Sequence, residues 1–259
     1  ILKEYLNYHD KYTKIYGEKT VVLMNVGNWY EIYAVINDDI HVGADLNEIS
    51  DILNIQISKR NKKIKEVNHD NFLMAGWPDF AMIKYRNILL NHNYTIVKVD
   101  QVTPAPNPER KVTEIISPST IIEQYNKSDT NYLVSLYINT YPTTTNKNIN
   151  AVGISVIDIA TGKNYVHKIR SSIEDQKIWN DECYRLIQYY NPSELIIHYN
   201  EEEGLYFSKD YISQQWMVDP NIIHINLNKS KQYLKPSYQN EFLLKYFKNC
   251  NCLKPIEFL

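Results

Sequence analysis

A tryptophan and a glutamate two residues apart, Trp29 and Glu31, lie in Gly27-Asn-Trp-Tyr-Glu-Ile-Tyr33, a segment with the aromatic and β-branched content of a strand. Alternation places Trp29, Glu31, Tyr33 and Val35 on one face and Tyr30, Ile32, Ala34 and Ile36 on the other. Both faces are then apolar apart from Glu31. A lone carboxylate beside a large ring, next to a Gly turn, suits a strand whose first residues project beyond the core. The two side chains would stand roughly 6–7 Å apart, the spacing of a ring stacked on one base and a carboxylate reaching a neighbouring base edge. On the strand pattern alone, a core Trp with a lysine-paired Glu is the simpler account.

The run Lys59-Arg-Asn-Lys-Lys-Ile-Lys65 holds Lys59, Arg60, Lys62, Lys63 and Lys65 with no acid among them. Such a run is either a solvated hairpin tip or a set of phosphate contacts. Asp158 invites a metal-nuclease reading, but that chemistry needs several converging carboxylates. Glu174, Asp175, Asp181, Glu182 and Glu194 fall on helix faces or a strand start, and Asp158-Ile-Ala-Thr-Gly162 suits a hairpin turn whose amides bond Asp158 or Thr161. The seven histidines and the cysteines Cys183, Cys250 and Cys252 show no ligand spacing, so no metal is assigned. Gly162-Lys163 is followed by Asn164 and lacks the upstream Gly of a phosphate loop.

The elements that must carry these residues follow from periodicity. An opening helix runs from Leu2 to near Gly17, with Leu2, Tyr5, Leu6, His9, Tyr12, Ile15 and Tyr16 on one face. Strands follow at Val21–Met24 and Trp29–Ile36, then a short helix from Asp45 through Leu53, and a strand over Asn71–Ala75 that stops at Gly76-Trp-Pro78. Asp79 is expected to cap a helix to about Asn91, with Ile83, Asn87, Ile88 and Leu90 inward. Trp77 is expected to pack. Strands at Tyr94–Val102 and Val112–Ile116 flank a Pro-rich loop. Glu123–Thr130 reads as a linker. Beyond it Tyr132–Ile138, Ala151–Ile159 and Tyr165–Ile169 form a meander, followed by a helix from Ile173 to Tyr190, with Ile178, Leu186, Ile187 and Tyr190 in register. A strand at Glu194–His198 and a further strand and helix close the chain.

The whole is 259 residues, which makes two domains the default expectation and leaves one large domain possible, and its 44% hydrophobic and 22% charged residues exclude wholesale disorder, collagen and coiled coil. A net charge of −2 means that any nucleic-acid binding must come from a local patch. The chain lacks an apolar run of the roughly 18 residues that span a bilayer. The expected setting is therefore intracellular and reducing, without membrane contact. The Ile start and apolar end suggest a piece of a longer protein.

Gly27-Asn-Trp-Tyr-Glu31 resembles the G-x-F-Y-E motif of the MutS family of DNA mismatch-recognition proteins. Further stretches resemble the family in the same order: Ile57-Ser-Lys-Arg-Asn61, Met74-Ala-Gly-Trp-Pro-Asp79, Tyr94–Gln101, Ile115-Ile-Ser-Pro-Ser-Thr120, Ile157-Asp-Ile-Ala-Thr-Gly162 and Asn191-Pro-Ser-Glu-Leu195. The resemblance implies two mixed-sheet α/β domains: a mismatch-recognition domain over 1–122, a linker over 123–130, and a connector over 131–259 with a ribonuclease-H-like fold. It implies binding of mispaired or looped double-stranded DNA, with Trp29 as the wedge in place of Phe and Glu31 as the base-contacting carboxylate. Asn28, beside them in the motif, is expected to bind DNA with them, and Lys59, Arg60, Lys62 and Lys63 are the expected backbone contacts. No cofactor is expected in these residues; ATP and magnesium belong to the family's ATPase domain, and dimerisation to other C-terminal domains. Tyr238–Leu243 and Lys254–Leu259 look like the giant-virus and octocoral-mitochondrial branch. A metal-dependent ribonuclease-H-like nuclease and an interaction module without lesion sensing are the alternatives.

Overall fold

The computed structural model describes residues 1–104, 106–121, 130–142, 148–199, 207–227, 232 and 235–246. The expected linker lies almost wholly outside them, as do Cys250, Cys252 and the Lys254–Leu259 ending.

The first unit is a seven-stranded mixed sheet. Helix α1 (Leu2–Tyr16) is followed by β1 (Thr20–Val26), β2 (Trp29–Ile36), β3 (His41–Gly43), α2 (Leu46–Leu53), β4 (Ser58–Lys59), β5 (Leu73–Pro78), α3 (Met82–Asn91), β6 (Thr95–Gln101) and β7 (Arg110–Ile116). The strand order is β4-β5-β2-β1-β6-β7, with β3 added to the far end of β2. Only β1 and β6 run parallel, and α2, β5 and α3 lie between β2 and β6 in the chain. Strands β1 and β2 are apolar on both faces because helices cover the sheet; Val21, Val22, Leu23 and Met24 are all buried.

The second unit has β8 (Tyr132–Pro142), β9 (Asn148–Asp158), β10 (Asn164–Arg170), α4 (Ile178–Tyr190), β11 (Glu194–Tyr199), α5 (Lys209–Trp216), β12 (Ile223–Leu227) and α6 (Pro236–Tyr246). Its sheet order is β10-β9-β8-β11-β12. The first three strands form the expected antiparallel meander, and β11 and β12 join in parallel. Asp158 closes the β9–β10 turn, accepting from the amides of Ala160 (3.0 Å) and Thr161 (3.4 Å) and from the Thr161 hydroxyl (2.8 Å).

Several boundaries differ from the periodicity. Strand β5 continues through Gly76-Trp-Pro78, because these residues keep pairing with β2. Asp79 caps nothing: its amide donates to the Asn28 carbonyl across the sheet edge (2.9 Å), and a 3₁₀ turn over Asp79–Ala81 precedes α3. That turn rotates the helix, so Leu89 and Leu90 are buried while Ile83 is exposed. Helix α4 starts at Ile178 rather than Ile173, because Asp175 accepts from the amides of Lys177 and Ile178 and holds the preceding turn. Its buried face is Trp179, Cys183, Ile187 and Tyr190: Ile187 and Tyr190 lie inward as expected, Leu186 packs partly buried against the same core, and Ile178 is exposed. On α1 the apolar face fades towards the end, where Ile15 is exposed. Strands β3 and β4 are too short to leave a periodic signal.

A polar knot joins the units. Glu194, only 7% exposed at the start of β11, accepts from the Ser117 hydroxyl (2.6 Å), from the Ser119 amide (3.0 Å) and from the Ser119 hydroxyl, and pairs with His224 Nε2 at 3.2 Å. The Asn131 amide donates to the Pro118 carbonyl (2.8 Å), and its oxygen accepts from Ser193 (2.5 Å). Burial pushes the Glu194 carboxyl up, but the bonds from His224, Ser117 and Ser119 outweigh it and hold the group below the usual carboxylate range. A depressed folded-state value contributes stability above the unfolded value near 4.5, and that contribution is lost as pH falls through the folded value. Glu194→Ala is therefore expected to cost about 1.5–3 kcal/mol at neutral pH. The gap from wild type should shrink when denaturant titrations are repeated at decreasing pH below that value; a pH-independent gap would contradict the charged knot.

Candidate nucleic-acid interface

The β1–β2 connection is tighter than a loop. Val26 pairs directly with Trp29, leaving Gly27 and Asn28 as a two-residue turn. Gly27 sits at φ 60° in the first central position, the glycine site of a type II′ hairpin, where a side chain would be strained. The turn is braced from three sides. The Asn25 side chain donates to the carbonyls of Gly27 (3.2 Å) and Trp29 (3.3 Å), Arg110 Nε donates to the Asn25 carbonyl (3.2 Å), and the Asp79 amide takes the Asn28 carbonyl. Asn28 therefore contributes its backbone to the tip and presents its side chain to solvent.

Trp29 is the first residue past this turn and is 47% exposed, so it is no core residue. The strand phase separates it cleanly from Tyr30, which is buried on the opposite face and donates to Asp100 Oδ1 at 2.7 Å. Asp100 also accepts from Thr113 and pairs with Lys98 at 3.0 Å. Burial and the Asp100 bond push the Tyr30 hydroxyl up to about 12. Strand β2 is thus pinned to β6 and β7 by Tyr30 while Trp29 points outward.

Glu31 shares the Trp29 face and is half-buried. Its Oε2 accepts from the Tyr33 hydroxyl at 2.5 Å, a partner that sequence reasoning did not supply although the alternation had put both on one face. Gly76 lies opposite Glu31 on β5. A Cβ at Gly76 would meet the Tyr30 carbonyl at 2.5 Å and the Glu31 Cα and Cγ at 3.2 Å, so glycine is what lets β5 approach the carboxylate. Trp77 is buried against Tyr85 with ring centroids 4.8 Å apart, as its packing role requires. Phe80, in the turn tied to Asn28, is 86% exposed at the same end of the sheet and was not singled out by spacing.

The basic run is not brought to this tip. Lys59 pairs with Leu73, Leu73 pairs with Ala34, and the Asn37 amide reaches the Val67 carbonyl (2.8 Å), so the run lies at the opposite end of β2. At about 3.4 Å per residue, Trp29 and Ile36 are separated by roughly 24 Å along the strand. Lys59 Nζ turns back to the carbonyls of Ile64 (3.3 Å) and Lys65 (2.9 Å), and Arg60 lies over the Phe72 ring at 5.6 Å. Lys62, Lys63 and Lys65 are exposed. Among the described residues, no group of three His, Cys, Asp or Glu side chains is placed to hold a metal ion. Nor is any helix there long and apolar enough to cross a membrane.

The profile of the family described as MutS domain I matches residues 3–125. A DNA mismatch repair protein mutS homolog of Acanthamoeba polyphaga mimivirus is 30% identical over 263 residues, covering 96% of this chain and 23% of that protein. The DNA mismatch repair protein MutS of Thermodesulfovibrio yellowstonii is 23% identical over 266 residues, covering 95% of this chain and 27% of that protein. The MutS of Petrotoga mobilis is 26% identical over 170 residues, 64% of this chain and 17% of its own length. This chain thus spans between 17% and 27% of these relatives. A domain I profile over the sheet that carries the Trp29 hairpin, and MutS relatives aligned along most of both units, establish that the chain belongs to the MutS family.

Proposed function

We propose that the chain senses mispaired or looped bases in double-stranded DNA, with Trp29 as a wedge and Glu31 as the carboxylate that meets the displaced base. The observation that carries this reading is the half-exposed Trp29 at a braced hairpin end with Glu31 on its face, inside the segment matched by MutS domain I. Inserting an aromatic costs a few kcal/mol of unstacking, least at a mispair, and stacking returns roughly 1–3 kcal/mol. A carboxylate near phosphates penalises well-paired DNA and tolerates a displaced base that offers a donor. Selection then comes from local deformability rather than from base sequence.

In this reading residues 1–122 are the lesion-sensing domain and 131–259 the connector. A meander extended by parallel strands through helical crossovers supports the ribonuclease-H-like architecture of the second unit. ATP, magnesium and dimer contacts belong to other domains of the family. The mimivirus relative supports placement with the giant-virus branch. Lys62, Lys63 and Lys65 supply sequence-independent phosphate affinity at a distance from the wedge.

Gel-shift comparison of mismatched and matched duplexes tests the reading. Trp29→Ala is expected to weaken mismatched binding selectively by roughly 1–3 kcal/mol while leaving the melting temperature unchanged, and Trp29→Phe to retain binding. Glu31→Ala should narrow the gap between mismatched and matched duplexes, partly by tightening the matched complex. A sharp fall in melting temperature with an unchanged binding ratio in Trp29→Ala would refute the wedge.

Replacing Lys62, Lys63 and Lys65 by Gln is expected to weaken both duplexes alike and to flatten the slope of log affinity against log salt by up to roughly 0.9 per lost contact. An unchanged slope would reduce the segment to a solvated tip. Incubated with ATP, or with nicked or mismatched duplexes and magnesium or manganese, the chain is expected to leave each intact. Cleavage abolished by Asp158→Asn would put a nuclease in place of the binding module.

A further inference from the structure

Glu31 is held from below. Tyr33 is 1% exposed, with its ring edge-on to Tyr5 (centroids 5.0 Å, 75°) and to Phe72 (5.1 Å, 78°). These contacts leave the phenol no freedom to swing, and its hydroxyl donates to Glu31 Oε2 at 2.5 Å. On the other side, Gly76 supplies the space into which Glu31 fits against β5, while any side chain there would meet the Glu31 Cγ. A free glutamate side chain loses up to roughly 2 kcal/mol of rotamer entropy when it is fixed. Here much of that ordering is already done before any ligand arrives.

We propose that Tyr33 is a positioning residue for lesion discrimination: its hydroxyl occupies one acceptor site on Oε2 and, with β5 closing in at Gly76, restricts how the carboxylate can turn on the face it shares with Trp29. The inference rests on the assignment of Glu31 as the discriminating carboxylate. Its chemistry defines the ligand more narrowly than a carboxylate alone. A freely rotating carboxylate can accept from donors in many directions, whereas one anchored through Oε2 offers its remaining acceptor sites over a narrower range, suited to an N–H donor on the edge of a base stacked beside Trp29. Well-stacked, paired bases keep such donors engaged with their partners. The buried phenol thus converts a general repulsion of phosphate into a directional preference for a displaced base.

The test is a double-mutant cycle in the whole chain, with Tyr33→Phe, Glu31→Ala and the double variant compared by fluorescence anisotropy on mismatched and matched duplexes. Tyr33→Phe keeps the ring among Tyr5 and Phe72 and removes only the hydroxyl. It is expected to reduce the ratio of mismatched to matched affinity by about three- to tenfold, the range of one net hydrogen bond, when Glu31 is present. It should leave the ratio unchanged in the Glu31→Ala background. A purely structural phenol would shift melting temperature and ratio equally in both backgrounds, and that result would overturn the assignment, as would an unaltered ratio in Tyr33→Phe. A wild-type ratio of one would instead remove the role of Glu31, and the role of Tyr33 with it. A wild-type ratio above one with additive variants would remove that of Tyr33 alone.

Discussion

The geometry of the tip depends on the pairing of β2 along both of its edges. With β1 on one side and β5 on the other, the strand has no freedom to slip, because a shift of one residue would exchange its two faces, Tyr30, Ile32 and Ala34 for Trp29, Glu31 and Tyr33. The two-residue turn at Gly27-Asn28 sets the register on one side. Continuation of β5 to Pro78, with the Asp79 amide taking the Asn28 carbonyl, sets it on the other. Backbone hydrogen bonds, rather than side-chain packing, therefore decide that the indole projects.

That projection has an energetic cost. Leaving about half of an indole in water forgoes on the order of 2–3 kcal/mol of burial, which a purely structural tryptophan would recover by turning inward. The paired backbone prevents it, and side chains reinforce that frame: Tyr30 is tied to Asp100 in a network with Thr113 and Lys98, and Arg110 supports the turn from β7. The exposed ring and the anchored carboxylate are consequences of the same braced strand end. A rigid tip also suits a task in which the ligand, rather than the protein, is to deform.

The second unit meets the first through polar groups rather than an apolar seam at Glu194. A carboxylate in a nearly dry setting is tolerated only because two serines and a histidine satisfy its oxygens, so the Ser117-Pro-Ser119 turn cannot leave without exposing an unpaired charge. The stretch that closes the first sheet is thereby fixed to the first residue of β11. The resemblance of Asn191-Pro-Ser-Glu-Leu195 and of Ser117-Pro-Ser-Thr120 to family motifs acquires a physical cause: the two stretches bond to each other across 75 residues of chain.

The sequence by itself determined the alternation on β2, the Asp45 cap of α2, the end of α1 at Gly17, the meander and the Asp158 turn, because each rests on interactions within a few residues or between strands that follow one another in the chain. The paired identities of Trp29 and Glu31, and their likeness to the family motif, were legible for the same reason. What lies between distant segments was not. The Tyr33 anchor depends on a ring clamped by Tyr5 and Phe72, Gly76 matters only because β5 lands opposite Glu31, and the phase of α3 follows from a 3₁₀ turn held by Asn28. The basic run falls at the other end of β2 from Trp29, since Lys59 on β4 pairs with Leu73 and Leu73 with Ala34. Local propensity is written residue by residue, whereas the meeting of side chains separated by tens of residues is decided by strand order and register, which only the folded sheet supplies.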